Sequence, residues 1–295
     1  MKVPGFARRA ADSSGTATGS LGWWFLPGFA LALAISIAPF CYAIVQSLRA
    51  SKYLEMRQFV GLQNYVDFLS DSSVITNTVV VCVGTLVLSV PLGVGAALAL
   101  WRATRFQTFF RTLLIIPWLM SSLVAAKLWG WLLSADLGPV AFQLRELGII
   151  MPNPATTPNL AMPLLILAYA WSSFPLIMVM TYAALQAVPK ETLEACHVDG
   201  ASDIQRLFYV VLPIIKNSIL VGTILTTINT VNNATMVLVL TGGGPAGATE
   251  TIALRVFEEG FKFFEVGRGA AGSVVMFIVN AFFVAAYLKT LRAKT

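Results

Sequence analysis

VPKETLEACHVDGASDIQRLFYVVLPI, residues 188–214, is the one long polar connection between two apolar runs of this chain, and it carries a helical grammar of its own. Pro189 suits a first helical turn, Glu191 and Glu194 favour the positive N-terminal end, and Gly200 supplies the left-handed residue that ends a helix. Ser202 caps a second helix, and Gln205 three residues on completes a capping box. Ile204, Leu207, Phe208 and Val211 then follow at helical spacing as an apolar stripe. Pro213 is expected to end this second helix or to bend it into the run that follows. By periodicity alone the segment is either a connector lying on a bilayer surface or a docking element.

The flanks of this segment hold no charge from 147 to 189 and from 217 to 249, and further charge-free stretches cover 13–48, 72–101 and 269–288. Each reaches the roughly 20 apolar residues that a spanning helix needs. With 57% hydrophobic residues, 12% charged residues and a mean hydropathy of +0.76, the chain is an integral membrane protein. A soluble enzyme, a disordered chain and a secreted disulfide scaffold are excluded. Six all-α spans are expected, at about 22–48, 74–101, 112–133, 159–188, 213–240 and 269–288, with Lys127 inside the third snorkelling to the headgroups. An even number puts both termini on one side. Twelve basic residues, including Lys2, Arg8, Arg9, Arg102, Lys190 and Lys294, share that side with the 188–214 segment, against seven on the other, which also holds nine of the fourteen acidic residues. The termini are therefore expected in the cytoplasm. The net charge of +6 follows from this asymmetry and calls for no nucleic-acid partner.

From Glu194 the connection reads Glu, two small residues, three more, Gly200, nine more, then Val210, any residue, Leu212 and Pro213. This resembles the coupling loop of binding-protein-dependent ABC transporter permeases, with Cys196 standing where the second Ala is usual. FVGLQNY (59–65), FRTLLIIPW (110–118), ALQAVP (184–189) and LTGGGP (240–245) look like the carbohydrate-uptake branch, of the maltose-type and glycerol-3-phosphate-type first permease. The resemblance implies a six-helix importer permease fold with cytoplasmic coupling helices: a tail over 1–20, a permease domain over 21–295 and a coupling loop over 189–213. It further implies a bacterial or archaeal inner membrane location and three kinds of partner: a second homologous permease, two cytoplasmic ATPase subunits and an extracytoplasmic solute-binding protein. No Gly-x-x-x-x-Gly-Lys-Ser/Thr occurs, so ATP and Mg are expected on the partner ATPase, with no cofactor and no catalytic residue in this chain. Glu194, Ala195, Cys196, Asp199 and Gly200 are the expected ATPase-coupling residues.

For the solute path, TTINTVNNATM (226–236) puts amides inside a span, where they are costly unless they face protein or a wet cavity. Asn229 and Asn233, one turn apart, share a face with Thr226 and Thr230 nearby. They are either interhelical hydrogen-bond glue or a strip matching sugar hydroxyls. The resemblance favours the strip and adds Ser173, Phe174 and Leu176 near the sugar, with Trp171 or Phe174 available to stack on a pyranose. The expected cargo is a di- or oligosaccharide; the alternative is glycerol-3-phosphate or a glycerophosphodiester. A stand-alone secondary transporter would need inverted repeats and intramembrane charge pairs, which are not found.

Other signals read blandly. GRGAAG (267–272) matches a dinucleotide fingerprint but follows no strand, so it is assigned to small-residue packing. His197 lacks a second ligand, Cys41, Cys82 and Cys196 share no spacing, and no metal site is expected. Glu258, Glu259 and Glu265, alternating with Arg255, Lys262 and Arg268, are expected to form a solvated outer face.

Overall fold

The computed structural model describes residues 18–53, 55–102, 105–150 and 152–292. The expected tail up to residue 17, with Lys2, Arg8 and Arg9, and the basic residue Lys294 lie outside them. Five described helices are long and apolar enough to cross a membrane, and a bent pair makes a sixth crossing if it counts as one.

The first crossing is α1 (Thr18–Ser47), followed by a two-stranded antiparallel hairpin, β1 (Arg49–Lys52) and β2 (Glu55–Phe59), and a short helix α2 (Gln63–Leu69). The Asn64 amide donates to the carbonyls of Ser47 and Arg49, so the FVGLQNY stretch staples the end of the first span to the hairpin. The second crossing, α3 (Ser73–Arg102), packs most extensively against the fourth, α7 (Pro158–Gln186). Lipid provides no hydrophobic drive between helices, so close approach must do this work. Gly93 supplies it: a Cβ there would lie 2.8 Å from the Phe174 carbonyl oxygen. Ala97 beside it is fully buried, whereas the Ala30, Ala34 and Ala38 row on α1 stays exposed.

The third crossing departs from the expected single helix. It is α4 (Gln107–Leu119) and α5 (Ser122–Leu132), bent by 98°. Met120 and Ser121 are extended, and the Ser121 hydroxyl accepts from the Val124 amide, so a serine cap starts a new helix where the apolar pattern alone predicts continuity. After α6 (Pro139–Glu146) and α7 comes the coupling segment, α8 (Lys190–Val198) and α9 (Asp203–Arg206). Pro213 does not end it. A π-turn over Leu207–Val211 leads into α10 (Leu212–Asn232), so one helix runs from Asp203 to Asn232. The wider turn spares the carbonyl that a proline ring would strike in an α-helix.

The fifth crossing also breaks where continuity was expected. Asn233 leaves helical geometry (φ −90°, ψ 89°) and caps α11 (Ala234–Leu240), its side-chain oxygen accepting from the Met236 amide. After α12 (Ile252–Phe257), the sixth crossing is α13 (Val266–Arg292). GRGAAG is indeed a packing sequence: a Cβ on Gly267 would strike the Arg49 carbonyl oxygen, and one on Gly272 the Phe68 ring.

Candidate functional site

α4, the α4–α5 corner, α7 and α10 line a partly open cavity of about 360 Å³, within the usual range for small-molecule sites. α7 lends Ser172, Ser173 and Leu176; α10 lends Leu225, Thr226 and Asn229. Asn233 closes one side, and Trp118, Met120 and Ser122 the other. Five expected residues therefore meet here: Ser173, Leu176, Thr226, Asn229 and Asn233. Two do not. Thr230 is buried and donates its hydroxyl to the Thr226 carbonyl, and Phe174 is half-buried outside the lining.

The amide cluster divides between its two readings. Asn232 exchanges amide hydrogen bonds with Asn280 at 3.4 and 3.3 Å, tying α10 to α13. Asn233 donates to the Ser122 hydroxyl at 2.7 Å, and its carbonyl accepts from the Tyr169 hydroxyl at 2.5 Å. These two are glue, although Asn233 also borders the cavity. Asn229, by contrast, is exposed and lines it. The hydroxyls of Ser173 and Thr226 are buried without a partner among the described residues. Among the described residues no charged side chain lines the cavity, and Lys127 sits exposed elsewhere. Such a set offers neutral donors and acceptors and one large aromatic face, suited to hydroxyl-bearing solutes. That face is Trp118, which sequence reasoning passed over although it ends a quoted motif. Trp171 instead packs edge-on against Trp129, with ring centroids 5.9 Å apart.

The coupling segment forms as its grammar dictates. Gly200 (φ 73°) ends α8 in a Schellman arrangement, the Gly200 amide donating to the His197 carbonyl and the Ala201 amide to the Cys196 carbonyl. Ser202 and Gln205 make both bonds of the capping box. Glu194, Ala195, Asp199 and Gly200 are exposed and Cys196 is half-buried. The apolar stripe splits: Val211 is buried in the bundle and Leu207 packs beside it, but Ile204 and Phe208 remain 70% and 60% exposed. Only half of it can therefore join the loop to the bundle.

At the opposite end, the expected solvated charge face is instead a partly buried ion network. Arg255 bridges Glu250 (2.7 Å) and Asp71 (2.8 Å), Arg268 lies 3.4 Å from Glu259, and Glu259 is 8% exposed. Hydrogen bonds from Ser73 and Arg255 hold the Asp71 carboxyl down at about 2. Burial pulls the Arg255 guanidinium down, but Glu250 and Asp71 overcome this and hold it above its ordinary range. Burial pushes the Glu259 carboxyl up, against the pull of Arg268. The Asn77 amide donates to the carbonyls of Gly247 and Glu250, so this network also fastens the loop that follows LTGGGP.

The family described as binding-protein-dependent transport system inner membrane component matches residues 89–289. The sn-glycerol-3-phosphate transport system permease protein UgpA of Agrobacterium fabrum is 33% identical over 86% of this chain and 88% of that protein. The trehalose/maltose transport system permease protein MalF of Thermococcus litoralis is 31% identical over 90% of each. Among solved structures, a bacterial ABC transporter involved in import of the acidic polysaccharide alginate superposes with a TM-score of 0.79 at 19% identity, covering 93% of this chain and 96% of that one. That likeness is one of fold.

Proposed function

This chain belongs to the family of binding-protein-dependent transport system inner membrane components, a multi-pass membrane permease of an importer, and on that premise we propose that its solute is a neutral di- or oligosaccharide. The observation that carries this reading is the cavity lined by Asn229, Ser173, Thr226 and Trp118 with no charged side chain among the described residues. A hydroxyl-rich ring satisfies unpartnered hydroxyls and amides and lies against an indole face. A phosphorylated cargo would leave two charges without a cation here. The similarity to UgpA favours glycerol-3-phosphate as the second reading.

In this proposal residues 21–295 act as one permease unit with both termini in the cytoplasm. It pairs with a second homologous permease, receives solute from an extracytoplasmic binding protein and is driven by two ATPase subunits that hold ATP and Mg. Glu194, Ala195, Cys196, Asp199 and Gly200 meet the ATPase. The exposed Phe208 on the same segment supports a protein contact there. The test is ATPase stimulation of the reconstituted complex by a panel of sugars and glycerophosphodiesters. Stimulation by a neutral saccharide, weakened in Asn229→Leu, is expected. Stimulation by glycerol-3-phosphate alone would overturn the solute class.

A further inference from the structure

A second cleft, of about 260 Å³, opens at the coupling end between the last turn of α3 and the start of the helix that begins at α9. Its lining includes two guanidiniums, Arg102 from α3 and Arg206 from α9, and the single carboxylate of Asp203. Asp203 lies 2.8 Å from Arg206 and 3.8 Å from Arg102, and each contact engages one terminal nitrogen of its arginine. Each guanidinium has five N–H donors, so both retain donors for a further anion, and the cleft keeps an excess positive charge.

The rest of the lining is apolar. Leu98 lies one turn, about 6 Å, further into the span than Arg102, and Leu207 and Val211 face it from the π-turn. Trp101, the tryptophan that closes the second span, also lines the cleft, at the level where indoles sit among headgroups. Guanidiniums beside an apolar lining, at the border of a membrane span, match a molecule with a phosphodiester at one end and acyl chains at the other. We propose that this cleft binds an acidic phospholipid, its phosphate between Arg102 and Arg206 and its chains along Leu98, Leu207 and Val211. The lipid then bridges the second span to the base of the coupling helix.

The full chain, purified with its partner subunits, is placed in nanodiscs of phosphatidylcholine containing a minor fraction of phosphatidylglycerol, and retained lipid is read by native mass spectrometry after release. Selective retention of phosphatidylglycerol is expected, weakened roughly fivefold for each guanidinium removed and about thirtyfold in Arg102→Gln with Arg206→Gln. Asp203→Asn removes the competing carboxylate while leaving both arginines in place, and is expected to raise retention. Equal retention of both lipids, or no change in either variant, overturns the proposal. Displacement by millimolar inorganic phosphate without lipid identifies a simple anion site and also overturns it. So does loss of the lipid whenever the ATPase is bound, which assigns the cleft to that protein.

Discussion

The Asn233 amide donates to the Ser122 hydroxyl at 2.7 Å, and this bond joins the two places where spans break: the cap of α11 and the start of α5. A cavity wall made of two helix interruptions depends on contacts between them. Ser122→Ala is expected to cost about 1 kcal/mol and Asn233→Ala about 1–2 kcal/mol, the latter also losing the cap on Met236. The double variant should cost less than the sum, since both remove the same bond. Thermal unfolding in detergent measures all three, and strict additivity would show that the bond contributes nothing.

Trp118→Ala is expected to raise the apparent KM for solute about tenfold, with ATPase activity in the absence of solute unchanged, because a stacking face is worth about 1 kcal/mol or more. Trp171→Ala, which removes a ring packed on Trp129, should lower stability without changing which solutes compete in uptake assays. The opposite pattern would assign stacking to Trp171.

Gly200→Ala forces a Cβ into a left-handed turn (φ 73°), at a cost of about 1 kcal/mol, whereas Gly200→Pro also removes the amide that donates to His197. In the assembled transporter, Glu194→Ala with Gly200→Pro is expected to leave membrane insertion intact and to abolish solute-dependent ATP hydrolysis. Normal uptake by that pair of changes would remove the coupling role from this loop.

Asp71 is held at about 2 by Ser73 and Arg255, below its ordinary 3.8. A carboxyl with a depressed pKa stabilises the fold once it is ionised, so its contribution is present above pH 3.8 and fades as the pH falls toward 2. Asp71→Asn should therefore lower Tm at neutral pH, with the deficit closing between those two values. A deficit that persists at pH 2 would show that the bond to Arg255 acts through shape and not charge.

Gly93→Ala places a methyl 2.8 Å from the Phe174 carbonyl oxygen, and overpacking of this kind costs about 1–3 kcal/mol. Looser packing of α3 on α7 should appear as faster thiol labelling of Cys82, which is fully buried on α3. Unchanged labelling and Tm would mean that the seam has slack.

Where local rules agree with the apolar pattern, the fold was legible. The Gly200 turn, the Ser202–Gln205 box and the bounds of α3 and α7 follow from residues that speak for themselves. The misreadings fall where a short polar side chain outbids the pattern. Ser121 and Asn233 each satisfy a backbone amide locally and so end one helix and start another, but neither disturbs the average hydropathy of its run. Of the two expectations for Pro213, an end to the helix was wrong, because a π-turn is set by backbone geometry that no residue type announces. For the cavity, polar residues inside the fifth span pointed to three lining positions, Thr226, Asn229 and Asn233, and the family resemblance to two more, Ser173 and Leu176. Trp118 was hidden because it lies inside the expected third span, where an aromatic reads as core, and the 98° corner that follows it is not written in the apolar pattern.

Because the π-turn absorbs Pro213, the thirty residues from Asp203 to Asn232 form one continuous helix of about 45 Å along its path. Its foot is the coupling loop and its tip is the kink at Asn233. A helix of that length is a lever: a tilt of about 5° at the foot sweeps the tip through roughly 4 Å, on the order of a helical turn. Asn229, one turn below the tip, travels with it, whereas Ser173 belongs to a different helix. On the proposed function, a small push at the foot would thus change the gap between Asn229 and Ser173 across the cavity.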